Sequence, residues 1–73
     1  MNDLTDKQFE VLICIKEFIN EKGFSPTVRE LAKLINVSSS ATVHTHLKHL
    51  VNKGYITYLP KSSRTIRIIK EMK

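Results

Sequence analysis

Three histidines and a run of serines fall within one short segment of this chain of 73 residues. Residues 38–49 read SSSATVHTHLKH, with histidines at positions 44, 46 and 49. Imidazoles are common zinc ligands and general bases, and a serine hydroxyl becomes a nucleophile beside a base. The segment therefore has side chains for a metal site, for nucleophilic catalysis, or for close hydrogen-bonded contact with another molecule.

Helical spacing argues against a metal site. On an α-helix, His44 and His46 point about 200° apart and cannot share one ion. His46 and His49 are better spaced, but two imidazoles without a neighbouring carboxylate or thiolate make a poor site. The single cysteine, Cys14, is expected among the glutamates of the first helix, away from its apolar stripe. We therefore predict no bound metal and no cofactor.

Catalysis is disfavoured as well. A nucleophilic serine needs a base and a pocket that stabilises an oxyanion, and the chain has no Gly-x-Ser-x-Gly turn. His46 is better explained as a half-buried histidine whose polar atoms are satisfied. The sequence predicts a protein that is not an enzyme, and close contact with a partner remains as the role of the segment.

Charge indicates the class of that partner. Residues 1–36 hold five Lys/Arg against six Asp/Glu, whereas residues 37–73 hold seven against one. Because the basic surplus lies in the half that carries the histidines, it favours a polyanionic partner over a merely basic tail. One cysteine and the lack of a secretory or membrane-spanning segment are typical of a cytoplasmic protein.

Periodicity predicts a first helix that begins at Thr5 and ends at Gly23. Thr5 and Gln8 have the form of a capping box, in which each side chain accepts from the other's backbone N–H. Gly23 suits the left-handed conformation at a helix end. The predicted apolar stripe consists of Phe9, Leu12, Ile15 and Ile19, flanked by Val11 and Phe18.

A second capping box, Thr27 with Glu30, starts a second helix after the stiff Ser25-Pro26 connection. Asn36 tolerates positive φ and is predicted to end this helix, and Val37 is expected to fold back over the helix end. The apolar stripe of the second helix consists of Val28, Leu31, Ala32 and Ile35.

The third helix is predicted from about Ser40 to Lys53, and two β-prone runs follow at 55–59 and 65–69 around a basic loop. Two helices joined by a tight turn and followed by a hairpin predict a winged helix-turn-helix domain, mainly α with a two-stranded wing. It occupies residues 1–73, with the helix-turn-helix unit at about 28–48 and the wing at about 55–69.

The outward face of the third helix suits the major groove of DNA. Its core stripe is predicted to be Val43, Leu47 and Leu50, which leaves short, non-acidic side chains on the other side. Hydroxyls, methyl groups and an imidazole match the donors, acceptors and thymine methyl of base edges. The predicted base-reading residues are Ser39, Ser40, Ala41, Thr42, His44 and Thr45.

Three stretches of the chain together resemble the N-terminal DNA-binding domain of the LexA family. They read LTDKQFEVLICIKEFINEKGFSPTVRELAKLINVSS, ATVHTHLKHLVNKGYI and SSRTIRII, and the likeness extends from about Leu4 to Ile69. The resemblance implies a bacterial repressor of the SOS DNA-damage response, acting at the nucleoid. Such a repressor binds inverted-repeat operators as a dimer and cleaves itself when an activated recombinase filament stimulates it.

The resemblance also implies which residues hold the DNA backbone. These are Lys53 and, in the wing, Ser63 and Arg64; we add the outward-facing Lys48 and the loop residue Lys61, giving a predicted backbone-contacting set of Lys48, Lys53, Lys61, Ser63 and Arg64.

Two departures from the family pattern limit which family properties are expected of this chain. The best-known form of the family has an asparagine and paired acids on its recognition helix, where this chain has Ala41, His44 and Thr45. The operator sequence therefore does not transfer, and the pattern is closer to the Gram-positive branch. The family's C-terminal half, with its dimer interface and Ser-Lys peptidase, is not found up to Lys73. We therefore expect a monomer in free solution and a homodimer on a palindromic operator.

Other functions remain open at this point. Winged helices also serve as protein-interaction modules, which would expose an apolar patch on the third helix or the wing. A stand-alone regulator unrelated to the SOS response is a further alternative. An RNA binder would expose aromatic rings for stacking; the only aromatics in the basic half are Tyr55 and Tyr58, and strand alternation turns at least Tyr58 inward.

Overall fold

The computed structural model describes residues 4–70, and its elements follow the predicted order of three helices and a hairpin. The two strands pair antiparallel, with Ile56 opposite Ile68 and Thr57 opposite Arg67. The strands are shorter than predicted, because only these central residues of each run form the ladder. The elements are α1 (Asp6–Lys22), α2 (Val28–Leu34), α3 (Ser40–Asn52), β1 (Ile56–Thr57) and β2 (Arg67–Ile68).

Both predicted capping boxes are present. The Gln8 N–H donates to Thr5 Oγ1 over 3.1 Å, and the Thr5 N–H donates to Gln8 Oε1 over 3.2 Å. The same reciprocal pair joins Thr27 and Glu30 at 3.0 and 2.9 Å. Each box satisfies two backbone donors that a helix start leaves unpaired, which fixes where α1 and α2 begin.

One apolar core lies between the three helices and the hairpin. Its α3 members, Val43, Leu47 and Leu50, are fully buried, which confirms the predicted inward face of that helix. Within residues 4–70, the buried residues of the core are Val11, Leu12, Ile15, Leu31, Ile35, Val43, Leu47, Leu50, Tyr55, Ile56 and Ile66. The core thus orients α3 with the opposite face toward solvent.

The predicted inward face of α1 was correct at Leu12, Ile15 and Ile19 and wrong at its first residue. Phe9 is 38% exposed, so its place in the apolar stripe was wrong, whereas the predicted flanking residue Val11 is fully buried. The true inward face is Gln8, Val11, Leu12 and Ile15. Pattern reading missed it because Gln8 is polar, and its burial is tolerated because its carboxamide oxygen accepts from the Thr5 N–H and from the Lys53 ammonium.

Cys14 also lies nearer to the core than expected. It is half-buried and packs against the core, although its predicted nearness to the glutamates of α1 is correct. Burial raises the pKa of the Cys14 thiol, and the negative charges of Glu10 and Glu17 raise it further. The thiol is therefore protonated at neutral pH, which makes it a poor nucleophile and a poor metal ligand.

The turn between α2 and α3 is fixed by backbone geometry. Asn36 has φ of 61°, the left-handed conformation predicted for it. The next N–H, that of Val37, donates to the Ala32 carbonyl over 3.0 Å, and Val37 packs against the core. This turn sets the angle at which α3 leaves α2. Among residues 4–70, no helix combines the length and apolarity needed to cross a lipid bilayer.

Candidate nucleic-acid interface

The start of α3 is a capped helix end with positive electrostatic character. Ser39 is the N-cap, and its Oγ accepts from the Ala41 N–H over 3.2 Å. The first turn of α3 contains no acidic residue. Unpaired N–H groups and the helix dipole therefore attract an anion such as phosphate to this end.

The predicted base-reading residues share one outward surface. His44 is half-buried, and the other five are exposed. We call this set the recognition surface: Ser39, Ser40, Ala41, Thr42, His44 and Thr45. Its side chains are short, so the helix backbone can approach a flat or grooved partner closely.

The proton of the Thr45 hydroxyl is already donated to a hydrogen bond within α3. Thr45 Oγ1 donates to the Ala41 carbonyl over 3.0 Å, one helical turn earlier. With the proton directed at the backbone, Oγ1 offers only its lone pairs outward, beside the γ-methyl group. Thr45 therefore suits an amino group of adenine or cytosine, or the methyl group of thymine.

His44 contacts the wing (residues 55–69). Its Nδ1 lies 3.2 Å from the hydroxyl of Tyr58. The two side chains line a shallow depression between α3 and the wing, together with Thr45, Lys48, Val51 and Pro60. Pattern reading predicted that Tyr58 turns inward and missed this contact, because strand alternation carries no signal for pairing with a helix residue.

Comparison with known proteins agrees with this geometry. The family described as the LexA DNA binding domain matches residues 1–65.

The chain belongs to the LexA DNA-binding domain family.

Its curated relatives include the LexA repressors of Staphylococcus epidermidis and Staphylococcus haemolyticus, each 42% identical over 71 residues. The LexA repressor of Staphylococcus aureus is 41% identical over the same length. These matches cover 97% of the chain and 34% of each relative. The chain therefore spans about a third of the length of the LexA repressors it matches, and both the predicted family and the predicted winged fold are confirmed.

The side chains predicted to hold the DNA backbone are not equally placed in this LexA-family domain. Lys48, Lys61 and Ser63 are exposed. The ammonium of Lys53 donates to Gln8 Oε1 over 3.2 Å, which ties the end of α3 to the start of α1. Lys53 therefore contributes to packing as well as to the charge of this surface.

Arg64 has several partners within the domain. Its guanidinium pairs with both carboxylate oxygens of Glu30 at 3.0 and 3.1 Å and donates to the Ser25 carbonyl at 3.0 Å. It also lies 4.6 Å from the ring centroid of Phe24. We call these contacts the Arg64 latch. The latch ties the loop of the wing to the start of α2, so the predicted contact between Arg64 and the DNA backbone remains a prediction.

Glu30 is the acidic side of the latch, a role that the sequence did not reveal. The Thr27 N–H, first, and the Arg64 guanidinium lower the pKa of its carboxyl. Arg64 itself has φ of 57°, a conformation unusual for a side chain of this size. A latch that spans residues 30 and 64 leaves no local pattern, so only the folded chain shows it.

His46 differs from its prediction in one respect. It is half-buried as expected, but its Nδ1 is buried and makes no hydrogen bond among the described residues, so the expected satisfaction was wrong. Burial lowers the pKa of the His46 imidazole, and the nearby positive charges of Lys7 and His49 lower it further. Residues 4–70 contain no cluster of three or more His, Cys, Asp or Glu side chains with metal-binding geometry.

Proposed function

We propose that this LexA-family domain binds double-stranded DNA in a sequence-specific manner, with the start of α3 in the major groove. The observation that carries the proposal is the recognition surface itself. Short, exposed, non-acidic side chains lie at a helix N-terminus, and the fully buried Val43 and Leu47 hold the helix from behind. A helix of this kind fits the width of the groove and presents donors, acceptors and methyl groups to base edges.

Each member of the recognition surface has a role that its chemistry supports. His44 and Thr45 read base edges, and Ala41 and Thr42 offer methyl groups to thymine. Ser39 and Ser40 supply hydroxyls at the helix start, where phosphate is attracted. In this assignment, specificity comes from the first two turns of α3.

The phosphate backbone is held by side chains around the recognition surface. Lys48 on α3 and Lys61 and Ser63 in the loop of the wing are exposed and supply charge or hydroxyl donors. Lys53 adds charge from the end of α3. Arg64 contributes by keeping the loop beside α2, and it meets phosphate only if the latch opens.

We further propose that the domain acts as a transcriptional repressor of the SOS response in the bacterial cytoplasm, at the nucleoid. Family membership and likeness to proteins named LexA repressors support this role. Two copies bind an inverted-repeat operator, because one α3 contacts only a few base pairs. The outer faces of α1 and α2 carry Glu10, Glu17, Arg29 and Lys33, which supports a monomer in free solution.

Fluorescence anisotropy with labelled nucleic acids tests DNA binding. We expect duplex DNA to bind more tightly than single-stranded DNA or RNA, with affinity falling steeply as salt rises. Equal affinity for duplex and single strands would contradict the proposal. Selection from a randomised duplex pool then gives the preferred site, and an inverted repeat with half-sites about 34–36 Å apart is expected.

Assembly on DNA is tested with the selected site. A full palindrome should bind two copies, and a half-site should bind one copy more weakly. Sedimentation at tens of micromolar should show a monomer without DNA. A stable dimer in solution, or equal affinity for half-site and palindrome, contradicts this part of the proposal.

A second candidate function is a protein-interaction module. Val51 on α3 and Leu59 on the wing are 37% and 63% exposed, which is the kind of apolar exposure this alternative predicts. The two functions separate in the anisotropy experiment. A protein-interaction module shows no duplex preference, whereas a DNA-binding domain in which Val51 and Leu59 are replaced by Ser retains it.

A further inference from the structure

The wing contacts one of the proposed base-reading side chains directly. Tyr58 follows β1 in the chain, and its hydroxyl lies 3.2 Å from Nδ1 of His44. The ring centroids are 6.1 Å apart, with 30° between the ring planes. Because fourteen residues separate the two side chains in sequence, the contact forms only when the wing is folded against α3.

The direction of this hydrogen bond follows from the chemistry of the two groups. Tyr58 is half-buried, and burial raises the pKa of its phenol, so the hydroxyl keeps its proton at neutral pH. A phenol O–H is a stronger donor than a neutral imidazole N–H, and an imidazole nitrogen is a stronger acceptor than a phenol oxygen. These strengths favour the arrangement in which the Tyr58 hydroxyl donates to Nδ1 of His44.

We propose that Tyr58 is a positioning residue for base recognition, because its hydroxyl holds His44 in the tautomer that carries the proton on Nε2. The hydrogen bond at one ring nitrogen sets the tautomer and the orientation of the whole ring. Nε2, the other ring nitrogen, is then a donor. This inference rests on the proposed function, and it assigns a specificity role to a side chain that does not itself reach the bases.

The chemistry of the fixed tautomer predicts which bases His44 selects. An Nε2–H donor matches acceptors in the major groove such as N7 and O6 of guanine. It does not match the amino groups of adenine or cytosine, which need an acceptor. Without the Tyr58 hydroxyl, the ring can turn and both tautomers become accessible, so either kind of base edge can be contacted.

The first experiment needs no DNA. Nitrogen-15 NMR of the imidazole rings at about pH 8 reports the tautomer of each histidine in the wild-type domain and in Tyr58→Phe. We expect His44 to be almost entirely in the Nε2–H form in the wild type and to shift toward a mixture in the variant. His46 and His49, which do not contact Tyr58, serve as references in the same spectra and should not move.

The matched control for this experiment is Thr57→Ala. Thr57 is exposed on β1, next to Tyr58 in the chain, and pairs with Arg67 across the hairpin. Thr57→Ala should leave the His44 signals unchanged. If Tyr58→Phe fails to fold, the wild-type spectrum still tests the proposal, because an Nδ1–H form of His44 overturns it.

The second experiment measures base preference on the selected duplex. Tyr58→Phe should reduce discrimination at the base pair under His44 by about three- to tenfold, the size expected for losing one hydrogen bond. It should leave affinity for random duplex unchanged. In a His44→Ala background the same substitution should have no further effect on discrimination, which shows that Tyr58 acts through His44.

The outcomes separate this inference from the proposed function. If the wild-type domain binds duplex specifically but Tyr58→Phe alters neither the tautomer nor the base preference, the inference fails and the proposed function stands. Equal losses on specific and random duplex also overturn the inference, because they indicate a general effect on the wing. If no duplex binds, the proposed function fails, and the NMR experiment still decides whether Tyr58 fixes the tautomer of His44.

Discussion

The recognition surface rests on apolar side chains, whereas the loop of the wing is held mainly by polar contacts. Behind the recognition surface, Val43 and Leu47 are fully buried in the core. In the wing, the Thr65 hydroxyl accepts from the Leu59 N–H over 2.8 Å, and Arg64 reaches Glu30 through the latch. Ile56 and Ile66 anchor the base of the hairpin in the core, but its loop depends on hydrogen bonds and charge.

This difference in support predicts how each region responds to salt and to pH. Burial of apolar surface depends little on salt or mild acid, so the position of α3 should be constant wherever the domain is folded. A half-exposed ion pair is weakened by salt and by loss of either charge. In the proposed function, specificity therefore comes from the region with apolar support, and the salt-sensitive loop of the wing lies beside the DNA backbone.

The largest effect is expected in the core. Leu47→Ala or Leu31→Ala should lower the free energy of unfolding by about 2–5 kcal/mol, because each leaves a cavity among fully buried neighbours. Urea denaturation followed by circular dichroism measures this. Leu34→Ala is the matched control, since Leu34 is 52% exposed on the same helix as Leu31, and it should change stability by less than about 0.5 kcal/mol. Similar losses for all three would contradict the assignment of Leu31 and Leu47, but not Leu34, to the core, and with it the apolar support of the recognition surface.

Loss of a base contact should have the next largest effect, and this effect should be on DNA binding only. Thr45→Ala should weaken binding to the preferred duplex by about 1–3 kcal/mol and binding to random duplex very little. Thr45→Val sharpens the result, because it keeps a methyl group and removes the outward lone pairs. If Thr45→Val binds like the wild type, Thr45 contacts a thymine methyl; if it binds like Thr45→Ala, it accepts from an amino group. Equal losses on both duplexes for Thr45→Ala would remove it from the recognition surface.

The fold was largely predictable from local patterns. Neighbouring residues act on the backbone directly, so they determine the capping boxes at Thr5 and Thr27. The positive φ of Asn36 is local in the same way. The inward face of α1 was not predictable in full, because Gln8 is buried only through contacts with Thr5 and with Lys53, which lies far along the chain.

The candidate site was also predictable only where neighbouring residues determine the structure. Helical periodicity places Ala41 and Thr45 opposite a stripe that the structure shows to be buried. The partners of His44 and Arg64 come from other elements, at separations of fourteen and thirty-four residues. Contacts of that range depend on how the wing packs, which no local pattern encodes.

A smaller and less specific effect is expected at the loop of the wing. Lys61→Ala should weaken binding to preferred and random duplex about equally and reduce the salt slope by about one unit, since one phosphate contact is lost. Anisotropy titrations at several salt concentrations measure both quantities. Lys33→Ala is the control, because Lys33 is exposed on α2 but outside the proposed interface. A loss confined to the preferred duplex would mean that Lys61 reads bases.

The smallest effect on stability is expected for the Arg64 latch, and the pH dependence of that effect identifies the latch. The folded-state pKa of Glu30 lies below the ordinary glutamate value of 4.5, because the Thr27 N–H and then Arg64 favour the ionised form. A carboxyl with a lowered folded pKa stabilises the fold above its unfolded pKa, and this stability is lost as pH falls through the folded pKa. The contribution should therefore be present at about pH 7 and should diminish as pH falls below the ordinary glutamate value of 4.5.

Glu30→Gln isolates that contribution, since its amide oxygen still accepts from the Thr27 N–H while the charge is gone. Urea midpoints should show the variant slightly less stable than the wild type at about pH 7, and the difference should shrink as the pH is lowered. Arg64→Met in both backgrounds completes a double-mutant cycle whose coupling should shrink with added salt and disappear in acid. If Arg64→Met costs as much stability in the Glu30→Gln background as in the wild type at about pH 7, there is no coupling, and Arg64 holds the wing through Ser25 and Phe24 rather than through Glu30. In that case the wing would depend on packing as α3 does, and the contrast between the two regions would be lost.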